Sequence, residues 1–113
     1  MSDCIFCKLA SHEISTDVVY EDERIFVFRD MSPQAPVHVL IIPKKHIPSL
    51  DDVTEEDADL LAYIMEKVKE IAKLTGLDNG YRLVVNCGED GMQTVKHLHF
   101  HLLGKRSMKW PPG

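Results

Sequence analysis

Residues 97–103 read His97-Leu98-His99-Phe100-His101-Leu102-Leu103, three histidines alternating strictly with apolar residues. An imidazole is close to neutral at pH 7, attacks electrophiles through its free nitrogen, and becomes cationic after a small pKa shift. A row of them suits attack on, and charge stabilisation around, a phosphorus or acyl centre. Half of the chain's six histidines fall within these few residues, which sets the cluster apart from scatter. The bland alternatives are a solvated strand face that carries histidine, or a metal patch.

Period two is the periodicity of a strand with two unlike faces, so the spacing predicts a strand over residues 97–103. The three imidazoles then point one way, and Leu98, Phe100 and Leu102 face the core. A rigid strand is a good mount for a site. Ahead of it runs Gly88-Glu89-Asp90-Gly91-Met92-Gln93-Thr94. Its two glycines free the backbone to present N–H groups, and Gln93 and Thr94 add side-chain donors. The loop is a candidate phosphate cradle beside the histidines. By themselves two glycines mean only a turn.

Cys4 and Cys7 form a C-x-x-C. That spacing serves as a zinc half-site or a redox pair. The redox reading needs a βαβ context that the chain lacks, and zinc needs two further ligands from the histidines or Cys87. Cys87, after a strand, reads as a small buried hydrophobe. Taken singly, His38 and His46 read as surface or packing residues, Lys44 and Lys45 as a solvated basic pair, and His12 carries no assignment.

The remaining elements follow from pattern. Residues 4–10 predict a short helix or turn. Val18–Tyr20 and Ile25–Phe28 read as strands joined by a hairpin turn at residues 21–24. A loop set by Pro33 and Pro36 precedes a β-rich stretch from His38 to Ile42 that Pro43 ends. One long helix is capped by Thr54, with Glu55, Glu56 and Asp57 on its first turn where the helix dipole favours negative charge. Leu60, Leu61, Ile64, Met65, Val68, Ile71 and Ala72 form its core stripe, and Gly76 stops it. A turn at residues 78–80 leads to a strand at residues 81–85. The order ββ, β, long α, β, β with short connections predicts an α+β layer, an antiparallel sheet covered by a helix.

At 113 residues with 44% hydrophobic content, the chain reads as a single domain spanning 1–113 with one core. A net charge of −5 argues against a partner that is a nucleic-acid polymer or an anionic membrane surface. No apolar run approaches the roughly 18 residues a membrane span needs. Met1-Ser2-Asp3-Cys4 shows neither the basic nor the apolar region of a secretory signal. The odd count of three cysteines points to a reducing, cytoplasmic setting rather than a disulfide framework. P-loop, Rossmann and nucleophile-elbow motifs are all absent from the sequence.

The histidine strand resembles the H-φ-H-φ-H-φ-φ motif of the histidine triad (HIT) superfamily. Residues 30–38 (Asp-Met-Ser-Pro-Gln-Ala-Pro-Val-His), 42–46 (Ile-Pro-Lys-Lys-His), 80–86 (Gly-Tyr-Arg-Leu-Val-Val-Asn) and the terminal Trp110-Pro111-Pro112-Gly113 are similar to its Hint branch, the histidine triad nucleotide-binding proteins. The likeness runs from about residue 4 to the C-terminus.

The resemblance implies a HIT-like fold, a five-stranded antiparallel sheet with one long and one short N-terminal helix, dimerising into a ten-stranded sheet. It implies hydrolysis of purine nucleoside 5′-phosphoramidates, aminoacyl-adenylate-like compounds included, with no catalytic metal. By the resemblance, His99 is the nucleophile at the α-phosphorus, His101 binds phosphate oxygens and His38 buttresses the site. Asn86 and Thr94 donate to phosphate and leaving group, and Asp30 accepts from the ribose hydroxyls. Ile5, Phe6, Leu9, Phe28 and Met31 line the base slot, and Trp110 completes a partner's site near the leaving group. Cys4, Cys7, His46 and His97 match a structural zinc site.

Thr94 stands where relatives usually have Ser, with a stiffer rotamer. Met92 replaces a usually small residue, and its bulk bears on leaving-group preference. Two alternatives stand beside this reading: hydrolysis of dinucleoside polyphosphates, and a nonenzymatic nucleotide-binding scaffold.

Overall fold

The computed structural model describes residues 3–113; Met1 and Ser2, part of the stretch read above for a signal, lie outside them. In chain order the elements are α1 (Ile5–Ala10), β1 (Val18–Glu21), β2 (Ile25–Arg29) and β3 (Val37–Pro43), then 3₁₀ turns at Leu50–Asp52 and Glu55–Asp57, α2 (Ala58–Leu74), β4 (Arg82–Val85) and β5 (Phe100–Gly104). All strands pair antiparallel in one sheet ordered β1-β2-β3-β5-β4. This is the α+β architecture the sequence predicts.

Alternation along β3 and β5 sorts their side chains onto two faces. Val37, Val39 and Ile41 join Leu98, Phe100 and Leu102 against Leu60, Ile64, Val68 and Ile71 of α2. On the opposite face, Phe26, Phe28, Leu40 and Ile42 pack under Phe6, Leu9 and Ala10 of α1. Helix α1 is six residues long, so it covers only part of its face. His38 and His101, whose parity matches Leu40 and Ile42 in the β3–β5 register, share that face.

The hairpin between β1 and β2 is clamped by Asp22. Its Oδ1 accepts the N–H of Arg24 at 2.8 Å and of Ile25 at 2.9 Å, and its Oδ2 accepts the Tyr20 hydroxyl at 2.8 Å and the Tyr63 hydroxyl from α2. Burial alone would raise this carboxyl, but the Tyr63 hydroxyl, the two N–H donors and Tyr20 together hold it down at about 2. The hairpin is thereby tied to the helix.

Three expectations are corrected here. The segment Glu55–Asp57 winds as a 3₁₀ turn rather than as the first α turn. The Asp57 carboxylate reaches back to the Thr54 N–H at 3.0 Å, which tightens the entry. Met65 is 45% exposed, so the core stripe of α2 is narrower than its hydrophobicity suggests. Lys44 and Lys45 are not a free solvated pair: they bond Glu21 at 2.7 Å and the buried Asp57 at 2.6 Å. Gly76 does end α2, at φ +77°, with Leu77 N–H bonded to the Ala72 carbonyl at 2.8 Å. Among the described residues no helix is long and apolar enough to cross a membrane.

Candidate functional site

The histidine segment is only partly a strand. β5 begins at Phe100, and His97, Leu98 and His99 lie in the chain leading to it, against the expectation of a strand from residue 97. The cause is backbone bonding: Leu98 donates to the Ile47 carbonyl at 2.6 Å and His97 to Val95 at 2.9 Å, outside any ladder. The alternation survives. Leu98 enters the α2 core, while the rings of His97 and His99 stand edge-on to Phe6 of α1, centroids 6.0 and 5.1 Å away. These two imidazoles are not a solvated row, being 0% and 4% exposed.

Hydrogen-bond partners fix the tautomers. His99 Nδ1 lies 2.7 Å from the carbonyl oxygen of His97. A carbonyl only accepts, so Nδ1 carries the proton and Nε2 keeps its lone pair, the form that attacks an electrophile. His38 Nδ1 accepts the Gln34 N–H at 3.0 Å, so His38 is protonated at Nε2, which meets His101 Nδ1 at 2.9 Å. His101 then carries its proton on Nε2. The rings of His99 and His101 are 5.1 Å apart. The pair therefore sets a nucleophilic nitrogen beside an N–H donor, as displacement at a phosphoryl centre requires. Burial, with the neighbouring His99 and His38, pushes His101 down to about 4. Burial also lowers His38, partly opposed by the Asp30 carboxylate. Both imidazoles are neutral at pH 7.

The other expected site residues are distributed as follows. Asp30 accepts the Ser32 N–H at 2.8 Å on Oδ1 and sets Oδ2 3.4 Å from His38 Nε2, leaving acceptor capacity for a hydroxyl. Asn86 is half-buried at the end of β4, and Thr94 is exposed. Thr94 lines an open cleft of about 410 Å³ with Cys4, Ile5 and His46. Phe6, Leu9 and Phe28 are buried in the smaller core, while Ile5 is 42% and Met31 93% exposed at its margin. Trp110 is 80% exposed, with the Arg82 guanidinium 5.8 Å from its ring centre and donating to the Lys109 carbonyl at 3.0 Å.

Gln93 is bonded within its loop. Its amide nitrogen donates to the Pro48 and Val95 carbonyls at 2.8 and 3.0 Å, and its oxygen takes the Gly88 N–H at 3.1 Å. In this arrangement the side chain latches the loop. Gly91 is required by close approach, since a Cβ there would lie 2.6 Å from the Cys87 carbonyl oxygen. Cys87 is half-buried rather than buried. Met92, at φ +64°, points its bulk into solvent at 74% exposure.

Cys4, Cys7, His46 and His97 converge, with one ligand atom from each within 4.8 Å of the others. His97 Nδ1 stands 3.4 Å from Cys4 Sγ, 3.6 Å from Cys7 Sγ and 3.2 Å from His46 Nδ1. Cys7 Sγ is 3.3 Å from His46 Nδ1. Tetrahedral zinc with ordinary bond lengths has N–N edges of about 3.3 Å and N–S edges of about 3.6 Å. His97 Nε2 donates to the Pro43 carbonyl at 2.8 Å, which turns the Nδ1 lone pair toward the cluster, as metal-ligating histidines are usually held. The donor set fits zinc. Without a cation, burial and the adjacent Cys4 push the Cys7 thiol up to about 11.

Three backbone groups with roles here carry no sequence signal. The Gln34 N–H orients His38, the Pro43 carbonyl orients His97, and the His97 carbonyl orients His99. Arg106 in turn donates to the Gln34 carbonyl at 2.9 Å. Only the rigid Pro33–Pro36 loop hinted that backbone there is pinned.

Residues 3–110 match a family model described as the scavenger mRNA decapping enzyme C-terminal binding region. A HIT-like protein of Synechococcus elongatus is 53% identical over 111 residues, covering 98% of this chain and 97% of that one. A 14 kDa zinc-binding protein of Zea mays is 48% identical over 114 residues, covering 99% and 89%. The crystal structure of a HIT family hydrolase from Legionella pneumophila superimposes with a TM-score of 0.95 at 54% identity, covering 98% of this chain and 100% of that one.

Proposed function

The chain belongs to the histidine triad (HIT) family of hydrolases, and from that premise we propose that it hydrolyses purine nucleoside 5′-phosphoramidates to a nucleoside monophosphate and an amine. His99 Nε2 forms a bond to the α-phosphorus as the phosphorus–nitrogen bond breaks, and the departing nitrogen takes a proton from solvent to leave as the amine. Thr94 and Asn86 supply hydrogen bonds to the departing amine and the phosphate. Water then attacks phosphorus and gives up a proton to solvent, the bond to His99 breaks, and the free imidazole returns. His101 Nε2–H stabilises the phosphoryl oxygens throughout, and Asp30 holds the ribose. Splitting one displacement into two lowers each barrier.

The observation that carries this reading is the 2.7 Å bond from His99 Nδ1–H to the His97 carbonyl, which makes Nε2 the lone-pair nitrogen of the neutral ring. Cys4, Cys7, His46 and His97 would hold a zinc ion that contributes folding energy. The reading extends to a homodimer in a reducing, cytoplasmic setting; the dimer is supported by the position of β4 at a sheet edge, half-buried along its length with no second strand beside it among the described residues.

A second reading is favoured by the decapping-enzyme match: the same attack at phosphorus with a nucleotide as leaving group. The test is steady-state turnover of adenosine phosphoramidate against a dinucleoside polyphosphate. The primary reading expects the phosphoramidate to be preferred in kcat/KM by well over tenfold, a difference above about 1.4 kcal/mol in transition-state binding. The reverse order would establish the second reading, and no turnover of either would leave a nucleotide-binding scaffold.

A further inference from the structure

We propose that His97 is a positioning residue through which metal occupancy of the Cys4–Cys7–His46–His97 cluster fixes the orientation of the His99 imidazole. The proposal rests on the assignment of His99 as nucleophile, but its test does not.

His97 is the point where the two sites meet. Its ring spans from the cluster, through Nδ1 at 3.2–3.6 Å from three of the ligand atoms, to the Pro43 carbonyl, through Nε2 at 2.8 Å. Its backbone carbonyl receives the His99 Nδ1–H at 2.7 Å. The segment has no β ladder to hold it, because β5 starts only at Phe100. Apart from apolar packing, it is held by the His97 N–H to Val95 at 2.9 Å, by the Leu98 N–H to Ile47, the residue after His46, at 2.6 Å, and by the ring of His97 itself. The last two of these attachments flank the contact between His46 and His97. A cation bound by both closes that arrangement. With no cation, the 3.2 Å contact between the two Nδ1 atoms holds only while His46 carries its proton on Nδ1 and donates it to His97; in the other His46 tautomer two lone pairs face each other, the rings part, and the His97 carbonyl moves with its ring. The cluster is also reachable: Cys4 and His46 line the 410 Å³ cleft that Thr94 shares, so occupancy can change without unfolding the chain.

The experiment uses the full chain labelled with ¹⁵N-histidine, the His99 ring assigned by its loss in His99→Gln. The Nδ1–H signal of His99 is recorded with zinc bound, after chelation, and after zinc is restored. The zinc-loaded protein should show a protected Nδ1–H whose exchange quickens by at least about tenfold on chelation and recovers on reloading. Cys7→Ser, which removes one donor of the cluster and leaves His97 and His99 in place, should behave as the chelated protein does. In both, kcat should fall while KM for the nucleotide stays within about threefold, since only the attacking group is disturbed. An unchanged Nδ1–H signal overturns the proposal. So does global unfolding of both the chelated protein and Cys7→Ser, which would make zinc a support of the whole fold. If zinc governs the signal but His99→Ala remains active, the hydrolytic assignment falls and the coupling stands.

Discussion

The Nε2–H of His38 donates to Nδ1 of His101 across 2.9 Å, joining β3 to β5 through two side chains 63 residues apart in sequence. In the register His38 pairs with Leu103 and Leu40 with His101, so the two histidines are diagonal neighbours on one face. The chain of bonds runs from the Gln34 N–H through His38 to His101, and it leaves the proton of His101 on Nε2.

Removing His38 should release that tautomer. His38→Ala is expected to lower kcat/KM for an adenosine phosphoramidate by roughly 10- to 100-fold, about 1.4–2.7 kcal/mol, with nucleotide affinity little changed. Stopped-flow kinetics and nucleotide titration check both halves. A rate equal to the parent's would show that His101 needs no partner.

Gln93 should act on stability and not on phosphate binding. Gln93→Ala loses three bonds within the loop and is expected to lower stability by about 1–2 kcal/mol. Urea denaturation measures this. A large loss of nucleotide affinity with no loss of stability would restore its expected role as a phosphate donor.

The fold was legible because its signals are local and strong. The alternation of residues 98–102, the stripe from Leu60 to Ala72 and the glycine at residue 76 each reflect a single physical cause. The site was legible in residue types: His38, His99 and His101 do converge, and so do Cys4, Cys7, His46 and His97. Unreadable were the contributions of the backbone, the Gln34 N–H and the His97 and Pro43 carbonyls, since every residue carries such groups. The loop bonds of Gln93 were unreadable too, because an amide in a glycine-containing loop suits a latch as well as a ligand. Lys44 and Lys45 misled because their carboxylate partners come from β1 and from the entry to α2.

Stability should depend on the buried imidazoles. His38, His97 and His101 all have native pKa values below the ordinary 6.5, His101 at about 4. The unfolded chain therefore binds more protons than the native one between those limits. Stability is complete above about pH 6.5 and is lost as pH falls toward 4, by about 3 kcal/mol from His101 alone. Asp22 takes over below 3.8, where its stabilising bonds begin to be lost. Denaturant midpoints of the chelated protein across pH 4–7 check the sign. A midpoint that rises on acidification contradicts it.

The tail should set leaving-group preference. Trp110, exposed at 80%, is followed by two prolines that stiffen the segment and lessen the entropy lost on docking. Deleting residues 108–113 is expected to change relative rates across a series of amine leaving groups more than nucleotide affinity, with sedimentation checking that both proteins keep the proposed dimeric state. Identical profiles would show that the tail takes no part.

The central claim is covalent capture by His99. Single-turnover hydrolysis of a fluorogenic adenosine phosphoramidate by His99→Ala tests it most directly. The account expects a loss of several orders of magnitude with nucleotide binding retained, because no neighbouring group can replace a covalent nucleophile. A rate within about tenfold of the parent, only ~1.4 kcal/mol of transition-state stabilisation, would contradict it.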